Sequence, residues 1–153
     1  MPAIERQTAI NASAEKVFDY LADFPRYKEW AAHHLRIEQT SPGPVAVGTT
    51  FASVGRMTAL DYKGQGTVTE FLPNERLVFD VTGDTGHFRH YLFLKKDGPQ
   101  TVLTKAVEPL RLKFTWRLRW PLARLVIPYI LGGDLKRIKA KVEMEAKRDR
   151  CHP

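Results

Sequence analysis

Turn signals recur at short intervals through the middle of the 153-residue chain, and they constrain the fold more than any other feature. Between residues 35 and 109, clusters rich in Gly, Pro, Asn, Asp and Ser separate short strand-like stretches. Successive hairpins of this kind predict an antiparallel meander of about six strands, because parallel strands need long crossovers. Gly64 and Gly66, inside one such stretch, indicate a bulge or bend where the sheet curves. The turn clusters are 41–44, 72–75, 83–86 and 97–99.

Helical signals flank this region on both sides. Residues 4–10 have the pattern of a strand, after which Ser13 can cap a helix. Residues 23–25 (Asp-Phe-Pro) end that helix and begin a second short one. After a break at 132–133 (Gly-Gly), an amphipathic helix is predicted to continue to about Arg150. Its apolar face, with three- and four-residue spacing, consists of Leu135, Ile138, Val142 and Ala146.

The segment between the meander and this helix has a different pattern. Residues 110–120 alternate strictly between apolar and polar side chains, which favours a strand over a helix. We therefore expect the last strand to resume after Pro109 and to run to about 116–119. Pro121 then opens a helical stretch with a kink near Pro128.

The net charge of +7 is unevenly distributed. Residues 1–104 carry 11 Lys/Arg and 12 Asp/Glu, a net charge of −1, whereas residues 105–153 carry 13 and 5, a net charge of +8. Such asymmetry has three interpretations: a solvated helix face, contact with an anionic membrane, or contact with nucleic acid. Nucleic acid is not expected, since the basic residues are not interleaved with strand aromatics in an RNA-binding signature.

Composition and element order together predict one α+β domain spanning residues 1–153. The single cysteine, Cys151, leaves no internal disulfide, which suits a reducing cytoplasm. Polar residues follow Met1 in place of a signal peptide, and the longest apolar stretch, 118–131, is too short and too charged to cross a bilayer. We therefore expect a cytoplasmic protein, with peripheral attachment to a membrane as an open alternative.

The order of elements and several local motifs resemble the START-related, polyketide cyclase/dehydrase-like (SRPBCC) superfamily. The matching segments are Ile10 to Trp30, Val47 to Phe51, Val68 to Leu77, and Asp134 to Lys139 followed by Glu143. The resemblance implies a helix-grip fold, in which a curved antiparallel sheet of about seven strands wraps around a long C-terminal helix, with two short helices after strand 1. It also implies a cavity for a hydrophobic ligand between sheet and helix. At residues 29–32 the sequence reads Glu-Trp-Ala-Ala where the quinone-binding branch has Pro-Trp-Cys, which argues against a quinone carrier.

Aromatic residues on the elements that would surround this cavity are the candidate ligand contacts. Plain core packing is the alternative interpretation of each of them. The candidates are Trp30, Phe51, Phe79, Tyr91, Phe93, Trp116 and Trp120. Tryptophans beside arginines also suit a membrane interface. The residues predicted for that contact with an anionic membrane are Trp116, Arg117, Arg119, Trp120 and Arg124.

Polar residues on the predicted strands are candidates for acid–base chemistry inside the cavity. A histidine or carboxylate in an apolar cavity has a shifted pKa and can act as an acid or a base. The weak candidates are His90, Tyr91, Asp61 and Glu70, with Tyr62 and Arg89 beside them in sequence. Outward-facing strand positions are the alternative, because a register error of one residue exchanges the two faces of a strand.

Motifs for other chemistry are missing from the sequence. The five histidines, which include His152, form no metal-ligand spacing, and there is no phosphate-binding glycine loop or Gly-x-Ser-x-Gly motif. We therefore expect no metal and no cofactor. Three functional hypotheses follow: a carrier or sensor of a small hydrophobic molecule, an enzyme of the polyketide cyclase/dehydratase type, and a domain that docks a partner or membrane through its basic C-terminal third.

Overall fold

A computed structural model of the chain describes residues 3–57 and 60–151, without the side chain of Met57. Within these residues, seven strands form one curved antiparallel sheet. They are β1 (Ile4–Ile10), β2 (His34–Gln39), β3 (Thr50–Met57), β4 (Leu60–Leu72), β5 (Arg76–Gly83), β6 (Gly86–Asp97) and β7 (Gln100–Leu112). Their order across the sheet is β1-β7-β6-β5-β4-β3-β2. The predicted meander is therefore confirmed, with β1 added beside β7.

Short helices connect β1 to the meander, as the sequence predicted. Helix α1 (Ala14–Ala22) begins after Ser13, whose Oγ accepts a hydrogen bond from the backbone N–H of Lys16 at 3.3 Å. A single 3₁₀ turn (Phe24–Arg26) follows, and it leads directly into α2 (Tyr27–Trp30). Aromatic side chains from these helices enter the main hydrophobic core under the sheet.

The long C-terminal helix α3 (Phe114–Cys151) is fixed to the rest of the fold by its second half. Its buried apolar residues in this half are Leu135, Ile138, Val142 and Ala146, the face that the spacing predicted. Polar contacts hold the same half against the connection between β1 and α1. Glu143 Oε1 accepts hydrogen bonds from the backbone N–H of Asn11 and from Lys139 Nζ, both at 2.8 Å. Lys139 Nζ also donates to the carbonyl oxygen of Ala9 at 2.5 Å.

The prediction that a strand runs to about 116–119 is wrong. Strand β7 passes through Pro109 and ends at Leu112, and α3 begins at Phe114 and continues through Gly132–Gly133 without a break. Residues two apart on a helix differ by about 200°. Strict alternation therefore places successive apolar side chains on opposite faces, and here both faces are apolar. Trp116 is partly buried against the sheet side, whereas Leu118 is exposed.

Gly66 allows a close contact between neighbouring strands. The ring of Phe51 lies across from it, and a Cβ atom at residue 66 would meet Phe51 Cζ at 2.0 Å. The predicted bulge lies elsewhere, because the register of β4 against β5 shifts between Val68 and Glu70. The glycine therefore makes room for an aromatic ring.

No helix in the described part of the chain has both the length and the apolar character required to cross a membrane.

Gly66→Ala is expected to destabilise the protein. The new methyl group forces Phe51 out of its packing against Phe24 and Phe79, and overpacking of a core costs about 1–3 kcal/mol. Gly132→Ala is the matched control, since its Cβ meets nothing within 4 Å and alanine favours a helix by about 1 kcal/mol. Urea unfolding should give changes of opposite sign. Equal stability of Gly66→Ala and the parent would contradict the packing described here.

Candidate functional site

A cavity lies between the sheet and α3, and it receives side chains from β2 to β7 as well as from α2 and α3. About 110 Å³ of it is open to the centre of a water molecule, several times the ~10–15 Å³ that one water requires. The empty space around that region, including the part open to solvent, is about 900 Å³. The cavity therefore has room for a small organic molecule.

The walls of the cavity are largely aromatic and aliphatic. Phe51 and Phe79 contact each other edge to face with ring centroids 5.5 Å apart, and Phe79 also meets Tyr27 at 6.3 Å. The first half of α3 and the strands opposite supply the remaining apolar wall. Those residues are Ile37, Val81, Phe88, Val107, Trp116, Ile127, Ile130 and Leu131. Such a lining favours an apolar or aromatic guest.

Three histidines add polar atoms to this apolar lining. His90, on β6, stacks on Phe79 with ring centroids 5.0 Å apart and planes inclined by 10°. His33 and His34 approach the cavity from the start of β2, with ring centroids 4.3 Å from each other. Their Nδ1 atoms are buried, and none of the three has a hydrogen-bond partner among the described residues. The described structure thus leaves three buried polar atoms without hydrogen bonds next to the cavity.

The histidines are neutral at physiological pH because the cavity removes them from water. Burial, reinforced by the positive charge of Lys105, lowers the pKa of His90 to about 3. Burial lowers the pKa of His33 to about 4, although Asp134 opposes this shift. Burial and the neighbouring His33 place the pKa of His34 well below its usual range. Each ring thus presents one N–H donor and one nitrogen acceptor.

A buried ion pair lies beside the histidines. Lys105 of β7 lines the cavity, and its Nζ is 2.9 Å from Oδ2 of Asp134 on α3, with the two residues only 4% and 0% exposed. The other carboxylate oxygen, Oδ1, accepts a hydrogen bond from Nη2 of Arg137 at 2.8 Å. Arg137 Nε donates to the carbonyl oxygen of Trp30 at 2.8 Å. Two cations therefore share one carboxylate.

The candidate ligand contacts divide into three groups. Phe51, Phe79 and Trp116 line the cavity. Trp30 is fully buried in the core with its ring 5.4 Å from Lys105 Nζ, and Trp120 packs against Phe88 with ring centroids 6.2 Å apart. The last two, Tyr91 and Phe93, are not among the lining residues.

Tyr91 and Phe93 face away from the cavity, contrary to prediction. Side chains on a strand alternate between faces, so His90 at the cavity places Tyr91 on the opposite face. There Tyr91 Oη donates to Glu108 Oε2 at 2.6 Å, and the Phe93 ring lies 5.2 Å from the guanidinium of Arg76. The prediction that these two residues contact the ligand is therefore wrong.

Two of the acid–base candidates, His90 and Tyr62, line the cavity. Burial, with a contribution from Asp134, raises the pKa of Tyr62 to about 12, so its hydroxyl stays protonated. The other candidates form ion pairs or hydrogen bonds outside the cavity lining. Those contacts are Asp61 to Arg56 at 2.6 Å, Glu70 to Arg76 at 3.0 Å, and Arg89 to Asp80 at 2.7 Å. Like Tyr91, these residues are not among those that line the cavity.

Four polar residues of the site were missed in the sequence. Lys105 stands between the apolar Leu103 and Val107 on one face of a strand, and this pattern was a usable signal of an inward charge. Asp134 directly follows the glycine pair, where the sequence predicted the start of a helix. His33 and His34 had been considered only as metal ligands. Their cavity position depends on how α2 meets β2, which local sequence does not specify.

The first half of α3 has a second, outward apolar face. Five of its side chains, spaced three or four residues apart, are between 65% and 83% exposed: Phe114, Leu118, Leu122, Leu125 and Tyr129. Residues 109–133 contain five Lys/Arg and no Asp/Glu. Trp116 and Trp120, which had been predicted to contact a membrane, instead pack toward the sheet. Arg117, Arg119 and Arg124 are exposed beside the outward face.

Known structures with the same architecture come from several bacteria. TTHA0849 from Thermus thermophilus shares 16% identity, with a TM-score of 0.80 and coverage of 95% of this chain and 99% of its own. A START superfamily protein from Mycobacterium smegmatis has 15% identity and a TM-score of 0.76, covering 93% and 97%. The ZhuI aromatase/cyclase from Streptomyces sp. R1128 has 15% identity and a TM-score of 0.74, covering 93% of each chain. At these identities the similarity establishes the fold alone.

The sequence itself gives the family. No curated protein matches this chain significantly. A family model described as polyketide cyclase / dehydrase and lipid transport, however, matches residues 1–143. That match covers the strands, the short helices and most of α3, including every residue identified above as lining the cavity. The chain belongs to the polyketide cyclase/dehydrase and lipid-transport family, which confirms the polyketide cyclase/dehydrase-like resemblance of the sequence.

Proposed function

We propose that this protein binds a small molecule with a hydrophobic, aromatic or lipid-like body in the cavity between the sheet and α3. The observation that carries the proposal is the cavity itself, an open space whose walls are mostly aromatic and aliphatic side chains. Protein interiors are close-packed, and an apolar void of this size forgoes packing energy unless a guest fills it. Membership of a family described by lipid transport and cyclisation supports the same conclusion.

An enzyme of the cyclase/dehydratase type is the second candidate, and the three cavity histidines favour it. Ring closure of a poly-β-ketone forms a carbon–carbon bond, and dehydration then releases water, so a group that moves protons is needed. Similarity in fold to the ZhuI aromatase/cyclase supports this reading. The pKa of His90, about 3, argues against it, because an efficient base has a pKa near the working pH. We therefore propose ligand binding without turnover as the first of the two candidate functions.

Docking to an anionic membrane is proposed as an accompanying property. The outward face of α3, defined by Phe114, Leu118, Leu122, Leu125 and Tyr129, combines exposed apolar side chains with adjacent arginines. Beside it, a groove is lined in part by Arg6, Arg124 and Lys136. Apolar side chains can enter the acyl region while cations meet anionic headgroups, which is how an interfacial helix binds. The opposite face of the same helical segment lines the cavity.

Filling the cavity should weaken the binding of a neutral aromatic probe. We expect one N-phenyl-1-naphthylamine per chain, detected by its fluorescence, and roughly tenfold weaker binding to Ile127→Trp, because the indole takes the space of the guest. Leu122→Trp is the matched control, since Leu122 lies on the outward face of the same helix. Undiminished binding by a folded Ile127→Trp variant would rule out this cavity as the binding site.

Turnover separates the two candidate functions. A synthetic poly-β-ketone thioester is offered to the protein, and formation of an aromatic ring is followed by ultraviolet absorbance. If the protein is a cyclase, His90→Gln should lose about a hundredfold or more in rate while still binding the naphthylamine probe. Tyr91→Phe, directed away from the cavity, should keep full rate. No ring formation by the parent protein, or an unaffected rate in His90→Gln, would count against acid–base catalysis by His90.

Liposome sedimentation tests the docking face. More protein should pellet with phosphatidylglycerol-containing vesicles than with neutral phosphatidylcholine vesicles, and Leu118→Glu should greatly reduce that fraction. Leu72→Glu, at an exposed apolar residue of β4, makes the same change in charge away from α3. The docking proposal fails if the two vesicle types recover equal amounts of protein, or if both variants behave alike.

A further inference from the structure

The polar residues of the cavity converge on Lys105, and together they define what a guest would meet there. Lys105 Nζ has three N–H donors, and among the described residues its one hydrogen-bond acceptor is Asp134. Lys105 lines the same cavity as His33, His34 and His90, and its charge contributes to the lowered pKa of all three. A cation with spare donors thus lies beside three neutral imidazoles.

The charge balance at this end of the cavity is positive. Asp134 carries one negative charge, while Lys105 and Arg137 carry one positive charge each. Arg137 reaches solvent with 41% of its side chain exposed, but Lys105 is enclosed and shares the carboxylate of Asp134 with Arg137. A buried cation whose counter-ion is shared in this way gains from a second anion close by.

The unpartnered histidine nitrogens point to the same chemistry. A neutral imidazole can donate one N–H, and the Nδ1 atoms of His33, His34 and His90 are buried without partners in the described structure. Buried polar atoms are normally hydrogen-bonded. An oxyanion suits a site that contains Lys105 and neutral imidazoles, because a carboxylate accepts several hydrogen bonds at once and its bonds to a cation are short and strong.

We propose that the natural ligand carries a carboxylate or an equivalent oxyanion on its hydrophobic body, and that Lys105 with the cavity histidines binds this group. This inference rests on the proposed function, since it specifies the polar end of the same guest. The hydrophobic body then lies along Phe79, Phe88 and Trp116, where the walls are apolar. Lys105 acts as the anchor, and Asp134 holds the ammonium group in position at 2.9 Å.

Two isosteric probes test the anchor directly. Calorimetric titration at pH 7.4 compares 2-naphthoate with 2-naphthamide, which have the same rings and nearly the same shape but differ in charge. We expect the carboxylate to bind about tenfold more tightly, the gain of one charge-assisted hydrogen bond over a neutral one. Lys105→Met should remove this preference, so that the two probes bind with equal affinity. Lys136→Met, which removes a surface cation of the neighbouring groove, should retain the preference.

Two variants of Lys105 distinguish a loss of carboxylate binding from a loss of folding. In Lys105→Met, Asp134 keeps Arg137 as a partner, and Lys105→Met/Asp134→Asn additionally removes the buried carboxylate charge. Thermal unfolding identifies which of the two remains folded. Equal affinity of the parent for both probes, or a preference that survives in the folded Lys105 variant, would overturn the anchor while leaving the proposed function intact. Binding of neither probe would contradict the proposed function as well.

Discussion

The ion pair between Lys105 and Asp134 is the interaction on which the arrangement of the site depends. It joins the centre of β7 to the middle of α3 in a region from which water is largely removed. Separating the two charges leaves the Lys105 ammonium group without a partner in a medium of low polarity, which costs far more than the pair contributes when it is intact. The pair therefore fixes the position of α3 along the strand, even if apolar replacements would be equally stable.

The position of this pair divides α3 into two functional halves. After Asp134, the helix is buried against α1, α2 and the sheet and is tied by Glu143 to the turn that follows β1. Before Asp134, it packs in a separate, smaller cluster with Val107 and borders the cavity. The half after Asp134 thus stabilises the fold. The half before Asp134 can border an open space because the stability of the fold does not depend on it.

Most of the fold follows from local sequence, whereas little of the site does. Turn residues and the Ser13 cap specify the hairpins and α1 without reference to distant residues. The prediction of a strand at 110–120 was wrong because strict alternation is compatible with two structures, a strand with one apolar face or a helix with two. Only tertiary contacts decide which of the two forms. The sequence also did not determine which strand residues face the cavity. The strand register determines whether His90 or Tyr91 lies on that face. His33, Lys105 and Asp134 come together through contacts between residues distant in sequence.

The two apolar faces of the first half of α3 have a thermodynamic consequence. The same helical segment forms both an inner wall and an outer surface, so a small rotation of that segment changes both surfaces at once. If binding of a membrane to the outer surface favours one orientation of this helical segment, that orientation also alters the affinity of the cavity for its guest. Reciprocity then requires the guest to alter the strength of attachment by an equal factor. Binding and release of the guest would in this way depend on whether the protein is attached to a membrane, without a moving lid.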